Sequence, residues 1–86
     1  MADLNQLGDI ITKFAKSTHQ FITPNQLSDP IQPSPSSLAS DQFNQFFFDL
    51  LNALTDANVS ANIPMEGLKG CRTWRDVVVL IFHFEN

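Results

Sequence analysis

Apolar side chains recur at intervals of three and four residues between positions 40 and 58, which is the spacing of an amphipathic helix. The opposite side of this helix carries Asp41, Asp49 and Asp56, and Phe48 projects from the same polar side. We therefore predict a helix over residues 40–58 with an acidic outer face and a buried apolar stripe. That stripe consists of Phe43, Phe46, Phe47, Leu50, Leu51 and Leu54.

The segment 73–84 contains a run of β-branched residues that favours a strand by propensity alone. No second segment offers a strand to pair with it, so a strand here would leave its backbone groups unsatisfied. Thr73 and Asp76 match a capping box, and we therefore predict a helix. Its Val79 and Phe82 fall outside the buried face. We expect them to meet apolar residues of the loop before the middle helix; the alternative is a surface for a dimer or another partner.

The first predicted helix covers residues 3–17, where the apolar residues share one face and Asp3 is the N-cap. The segment 18–39 contains four of the chain's five prolines, so we predict a long ordered connection there. A short helical turn is predicted over 64–68, because its first residue is a proline, which suits a helix start. The sequence thus predicts an all-α single domain over 1–86: a small four-helix bundle with a long loop between its first two helices.

Charge and composition narrow the partners that this chain can bind. Its 86 residues carry a net charge of −4, and no basic patch is available to neutralise phosphates. Nucleic acid and anionic membranes are therefore disfavoured, and basic protein surfaces are favoured. No secretory leader is visible, and the longest apolar run, 77–82, is too short to span a bilayer. We expect a cytoplasmic location.

The residue types that most often form catalytic or metal sites are few in this chain. Cys71, His19 and His83 share no metal-ligand spacing, and the three glycines match no phosphate-binding motif. A nucleophilic Cys–His pair would require the fold to bring Cys71 beside a histidine. We therefore predict no enzymatic activity and no metal site.

Short motifs along the chain resemble those of acyl carrier proteins. The segment 22–25, Ile-Thr-Pro-Asn, resembles the stretch that follows the first helix in carriers. The pair Ile63-Pro64 precedes the segment 73–81, Thr-Trp-Arg-Asp followed by apolar residues, which is similar to a carrier's last helix. The resemblance covers most of the chain. It implies that the four-helix bundle is of acyl-carrier-like type and presents a tethered acyl or peptidyl group to partner enzymes through an acidic second helix.

In that family a 4′-phosphopantetheine arm is attached to the serine of an Asp-Ser-Leu motif at the start of the second helix. This chain has no such motif. Counting forward from 22–24 leads to Ser36 and to Ser37, which precedes a leucine as in the motif. Counting back from 63–64 leads instead to 44–45, Asn-Gln, which cannot carry the arm. The two counts therefore imply an insertion relative to the family pattern.

The attachment chemistry needs an exposed hydroxyl near a helix N-terminus, where backbone N–H groups and the helix dipole stabilise a phosphodiester. The resemblance implies Ser37, and after it Ser36, as the residue that carries 4′-phosphopantetheine. Ser40 meets the same chemical requirement. The simpler alternative is that Ser40 is the N-cap of the predicted helix and that the other two serines are loop residues.

Two functions are left open by the sequence. In the first, a carrier docks basic partners through Asp41, Phe48, Asp49 and Asp56. The alternative is a carrier-shaped interaction module with no prosthetic group. The three carboxylates are most simply a solvated face, and Phe48 either anchors a partner or packs beneath the long connection.

Overall fold

The computed structural model describes residues 3–85 as a small all-α domain. Within this range no β-strand forms, and the only β-type pairings are two isolated bridges. The structure confirms the predicted helix in the last segment, where propensity alone favours a strand. The helices are α1 (Leu4–Ser17), α2 (Ser40–Asp56), α3 (Met65–Lys69) and α4 (Trp74–Phe84), with one 3₁₀ turn at Pro35–Ser37.

The predicted caps of the first and last helices are confirmed. Asp3 accepts a hydrogen bond from the backbone N–H of Gln6 at 2.8 Å, which satisfies a first-turn donor of α1. At the start of α4, the hydroxyl of Thr73 accepts from the N–H of Asp76 at 3.2 Å. The Asp76 carboxylate accepts in return from the N–H groups of Thr73 and Arg72, at 3.1 and 3.0 Å. This reciprocal cap fixes where α4 begins.

The start of α2 differs from the expectation that Ser40 is its N-cap. Ala39 occupies the N-cap position, and its N–H donates to the side chain of Gln42 at 3.2 Å. Ser40 is therefore the first helical residue, with its side chain exposed. Alanine has no side-chain oxygen, so position 39 provides no side-chain acceptor for the first-turn N–H groups of α2.

The end of α2 is fixed by a left-handed residue, Asn58, with a φ of 60°. The N–H of Val59 donates to the carbonyl of Leu54 at 2.8 Å, and the N–H of Asn58 donates to that of Thr55 at 3.0 Å. These two bonds form a Schellman motif, in which asparagine tolerates the left-handed conformation. Val59 and Leu54 are both buried, so the motif also closes an apolar contact.

A cluster of aromatic rings joins four segments of the chain at the centre of the core. Phe46 of α2 lies 5.9 Å from Phe14 of α1, 4.7 Å from Phe21 of the long connection and 6.4 Å from Trp74 of α4, measured between ring centroids. Most of these rings meet edge to face or tilted, the arrangement that their quadrupoles favour. The cluster therefore holds α2 against both α1 and α4.

The long connection is bound to the start of α4. The carbonyl of Leu27 accepts from the N–H of Arg75 at 2.8 Å, and the carbonyl of Asp29 accepts from the N–H of Trp74 at 3.4 Å. In addition, the N–H of Ile31 donates to the carbonyl of Arg72 at 2.8 Å. Backbone of the connection thus satisfies first-turn donors of α4 that have no partner within the helix.

The short helix α3 packs closely on α4 at Gly67. A Cβ at this position would lie 3.1 Å from the Cδ1 of Leu80 on α4 and 3.0 Å from the Cγ of Pro64. These separations are shorter than ordinary van der Waals contact. Glycine therefore sets how near α3 can approach α4.

The burial pattern confirms the core of the predicted apolar stripe and corrects its margins. Phe47 and Leu51 are half-buried, while the other members of the stripe are buried. Phe48 is 58% exposed and does not pack beneath the long connection. Val79 and Phe82 are also exposed, so the expectation that the connection covers them is wrong. The connection runs to the start of α4 and leaves the outer side of that helix open.

The cap of α4 should be measurable through Asp76. We expect Asp76→Ala to lower the free energy of unfolding by about 1 kcal/mol at pH 7, because the N–H groups of Arg72 and Thr73 lose their acceptor. These hydrogen bonds, from Arg72 first and Thr73 second, hold the pKa of Asp76 below its ordinary value of 3.8. The carboxylate therefore stabilises the fold above that value, and the stabilisation is lost as the pH falls through the lower folded pKa.

Urea unfolding at several pH values measures this effect. The difference between Asp76→Ala and the unaltered chain should shrink toward zero in acid. Asp9→Ala, which removes an exposed carboxylate in the interior of α1, is the matched control and should change the unfolding free energy little. An equal loss for both variants would contradict the capping role.

Two phenylalanines of α2 provide a matched test of the core. We expect Phe46→Ala to lower the free energy of unfolding by about 3–5 kcal/mol, because it opens a cavity at the centre of the aromatic cluster. Phe48→Ala should change it by less than about 0.5 kcal/mol, because that ring is largely in solvent. Thermal unfolding followed by circular dichroism compares the two. Similar losses would show that the cluster is not the centre of the core.

Candidate functional site

The acidic face of α2, defined by Asp41, Phe48, Asp49 and Asp56, lies on the outer side of the bundle. Asp41 and Asp56 are exposed, and Asp49 is half-buried. The Asp49 carboxylate accepts from the side chain of Gln45 at 2.7 Å. Within residues 3–85 no lysine or arginine forms an ion pair with any of the three carboxylates. No neighbouring cation therefore neutralises their charge within the described residues.

Phe48 stands within this charged surface and makes one aromatic contact. Its ring centroid lies 5.9 Å from that of Phe47, the half-buried neighbour. Since α2 contains no lysine, arginine or histidine, the neighbours of Phe48 on its own helix are all neutral or acidic. Such a surface suits a partner that combines an apolar recess with basic residues.

Ser36 and Ser37, predicted as the attachment site, lie in the 3₁₀ turn at Pro35–Ser37 and not in α2. Both side chains are exposed. The hydroxyl of Ser37 donates to the backbone carbonyl of Ser34 at 2.7 Å, and the hydroxyls of Ser36 and Ser34 lie 3.4 Å apart. The two serines thus make local hydrogen bonds in a turn that ends three residues before α2 begins.

Ser40 lines a groove between α2 and α3, which we call the α2–α3 groove. Its volume is about 320 Å³. Its lining combines the Ser40 side chain with apolar, polar and charged neighbours, namely Phe43, Asn44, Met65, Glu66 and Lys69. The ammonium of Lys69 lies 5.1 Å from the centroid of the Phe43 ring, in cation–π distance. A hydroxyl, a cation and an apolar wall therefore share one surface depression.

The sequence favours Ser37 and Ser36 over Ser40, because the count starts from the motif at 22–24 and ends within the long connection. The signal that favours Ser40 is its place in the first turn of α2, where N–H groups point toward solvent. That signal depends on whether position 39 or position 40 is the N-cap. Sequence patterns locate the end of a helix only to within one or two residues, so they do not distinguish these two positions.

A second groove, the α3–α4 groove, has a volume of about 370 Å³. Its lining is mostly apolar and includes Cys71, Asp76 and His83, together with Glu66, Gly67, Gly70, Val79 and Leu80. The fold thus brings a cysteine and a histidine to one groove, the condition that a nucleophilic pair requires. The thiol instead donates to the carbonyl of Gly67 at 3.4 Å, and no hydrogen bond joins it to His83 within residues 3–85.

The electrostatic setting of Cys71 opposes nucleophilic activation. Burial, and after it the charge of Asp76, raises the pKa of the thiol to about 11. A reactive cysteine needs the opposite shift, since the thiolate is the nucleophile. Among residues 3–85 no group of three histidine, cysteine, aspartate or glutamate side chains is placed to bind a metal ion.

A further groove of about 480 Å³ lies between α1 and the end of α2. Lys13 and Asp56 line it, and its remaining residues are Ile10, Phe14, Ser17, Ala53 and Ala57. It carries no cluster of reactive groups.

In the part of the chain from 3 to 85, no helix has the length and apolar character needed to cross a membrane.

Cys71 should react slowly with thiol reagents in the folded protein. A pKa of about 11 leaves roughly 100-fold less thiolate at pH 8 than an ordinary cysteine has, and burial restricts access further. We expect slow labelling by iodoacetamide that accelerates as the pH rises toward 11, and rapid labelling in urea. Mass spectrometry follows the reaction. Rapid labelling of the folded chain at pH 7 would contradict this protonated, buried thiol.

Comparisons of the chain with protein-family models, with curated protein sequences and with solved structures yield no match. The resemblance to acyl carrier proteins therefore stays a prediction from the sequence.

Proposed function

We propose that this protein is a carrier that presents a group tethered at the start of α2 to partner proteins with basic surfaces. The observation that carries the proposal is the position of Ser40. Its exposed hydroxyl lies in the first turn of α2 and opens onto the α2–α3 groove. A phosphodiester at this position would face backbone N–H groups and the positive end of the helix dipole.

The order and lengths of the elements support the carrier interpretation. A long connection separates α1 from α2, and a short helix, α3, precedes α4, as the resemblance to acyl carrier proteins implies. The attachment residue of such a carrier stands at the start of its second helix. Ser40 occupies that place here, whereas Ser36 and Ser37 precede it in a separate turn. We therefore favour Ser40 over Ser37 and Ser36.

The α2–α3 groove suits the group that a carrier would hold. Phe43 and Met65 give it an apolar wall, and Met65 is an adaptable side chain. Lys69 lies on the same groove as Ser40 and has no ion-pair partner within residues 3–85, so it is available to a phosphate on the serine. The arm would be 4′-phosphopantetheine, whose terminal thiol supplies the thioester chemistry when it is bound.

The acidic face of α2 would serve as the docking surface. Asp41 lies seven residues before Phe48, Asp49 one residue after it and Asp56 eight residues after it, so a partner would meet charge and an apolar anchor together. Charges of this kind raise the rate of association and fix orientation more than they raise affinity. Basic residues around an apolar recess are thus the expected complement on the partner.

Intact mass after coexpression with a broad-specificity phosphopantetheinyl transferase tests the carrier proposal. We expect a gain equal to one 4′-phosphopantetheine group. Ser40→Ala should abolish the gain, because alanine has no hydroxyl to form the phosphodiester. Ser36→Ala and Ser37→Ala are matched controls and should leave it intact.

Two outcomes would contradict parts of this proposal. A gain that is lost in Ser37→Ala or Ser36→Ala, and kept in Ser40→Ala, would move the attachment site to the 3₁₀ turn. No gain in any form of a chain that is folded by circular dichroism would reject the carrier role.

The second candidate function is an interaction module with no prosthetic group. The exposure of Phe48 among carboxylates favours it, since this surface needs no modification to bind a partner. It predicts no mass gain, together with binding of basic proteins that falls when Asp49 and Asp56 are replaced by lysine. The carrier proposal requires both the mass gain and the binding of basic proteins.

A further inference from the structure

We infer that the groove between α1 and the end of α2, which we call the α1–α2 groove, binds a small zwitterion: a free α-amino acid with an apolar side chain. This site goes beyond the carrier proposal and does not depend on it. The observation behind it is a pair of opposite charges, one on each helix, that line the same groove and do not pair with each other.

The two walls of the α1–α2 groove carry one charge of each sign. Lys13 lines it from α1, and Asp56 lines it from α2. Both side chains are exposed, and within residues 3–85 neither charged group forms an ion pair or a hydrogen bond. A ligand that has a carboxylate and an ammonium is therefore complementary to both walls at once.

The ends of the two helices add to this charge pattern. Ser17 is the last residue of α1 and Asp56 is the last residue of α2, and both line the groove. The C-terminal end of a helix carries a partial negative charge, so both helix ends favour a cationic group beside Asp56. Lys13 is the one cation among the described residues that line the groove, and it is left for the ligand's carboxylate.

Apolar side chains supply most of the remaining lining. They are Ile10 and Phe14 of α1 and Ala53 and Ala57 of α2. Phe14 belongs to the buried aromatic cluster, and the other three are half-buried. The two alanines are short, so the α2 wall leaves room that a longer side chain would fill. An apolar group placed there covers surface that the chain itself leaves in contact with water.

The size of the groove favours a small molecule over a protein partner. Its volume of about 480 Å³ falls in the range of small-molecule clefts, roughly 300–1,000 Å³. A stable protein interface takes roughly 20–30 residues on each side, whereas seven of the described residues line this groove. An α-amino acid carries its carboxylate, its ammonium and its side chain on one carbon. Its three groups thus match Lys13, Asp56 and the apolar lining between them.

Titration of the isotope-labelled protein with free leucine, followed by NMR chemical shifts, tests the inference. We expect saturable binding with a dissociation constant on the order of 1 mM, since a ligand of so few atoms gains little in an open groove. The backbone signals that move most should be those of Ile10, Lys13, Ala53 and Ala57. Glycine, which has both charges and no side chain, should bind about tenfold more weakly. Shifts that do not saturate, or that saturate elsewhere on the chain, would overturn the inference.

Ligands that lack one charge show which wall meets which group. Leucine amide has no carboxylate and N-acetylleucine has no ammonium, so each should bind about tenfold more weakly than leucine. Lys13→Gln should weaken the binding of leucine by a similar factor and should not weaken that of leucine amide. Asp56→Asn should weaken the binding of leucine and should not weaken that of N-acetylleucine. A variant that weakens leucine and its matched analogue equally would overturn the proposed pairing of charges.

Two matched controls separate the groove from the general charge of the surface. Lys16→Gln and Asp49→Asn remove a charge of the same kind from the same two helices, at positions that do not line the groove. Both should bind leucine as the unaltered chain does, whereas Ala53→Leu, which fills the groove, should abolish binding. Circular dichroism confirms that each variant is folded. Equal losses in the controls and in the groove variants, or unchanged binding in a folded Ala53→Leu, would overturn the site.

Discussion

The contact between Trp74 and the three phenylalanines around it is the constraint on which the rest of the fold depends. Trp74 is fully buried, and its ring lies 5.5 Å from Phe21 and 6.4 Å from Phe14 and Phe46, between centroids. Its buried indole N–H has no hydrogen-bond partner within residues 3–85. Each ring comes from a different segment. The orientation of α2, and hence of its acidic face, follows from this cluster.

Much of the fold could be predicted from the period of apolar residues, because α1 and α2 each bury one stripe. The last helix required a second argument. Its valines favour a strand, yet Thr73 and Asp76 form the predicted cap, and the chain offers no strand to pair with it. The start of α2 was harder. Serine is a stronger N-cap than alanine, but Ala39 takes that place and Ser40 enters the helix.

The candidate site was predictable in part. The spacing of Asp41, Asp49 and Asp56 predicts a common face, and their burial agrees with it. Exposure of Val79 and Phe82 could not be predicted, since it depends on the path of the connection. That path is fixed where the carbonyls of Leu27 and Asp29 accept hydrogen bonds from N–H groups at the start of α4. These are long-range backbone contacts without a sequence signature. The choice of Ser40 over Ser36 and Ser37 likewise depends on whether position 39 or position 40 is the N-cap of α2.

Helix α3 is a wall shared by two depressions. Glu66 lines both the α2–α3 groove and the α3–α4 groove, and the helix between them is only five residues long. At Gly67 it stands so near to α4 that a Cβ would crowd Leu80. A displacement of α3 toward α2 therefore opens the depression on one side as it narrows the other. Occupants of the two sides would compete through the position of this helix, without touching each other.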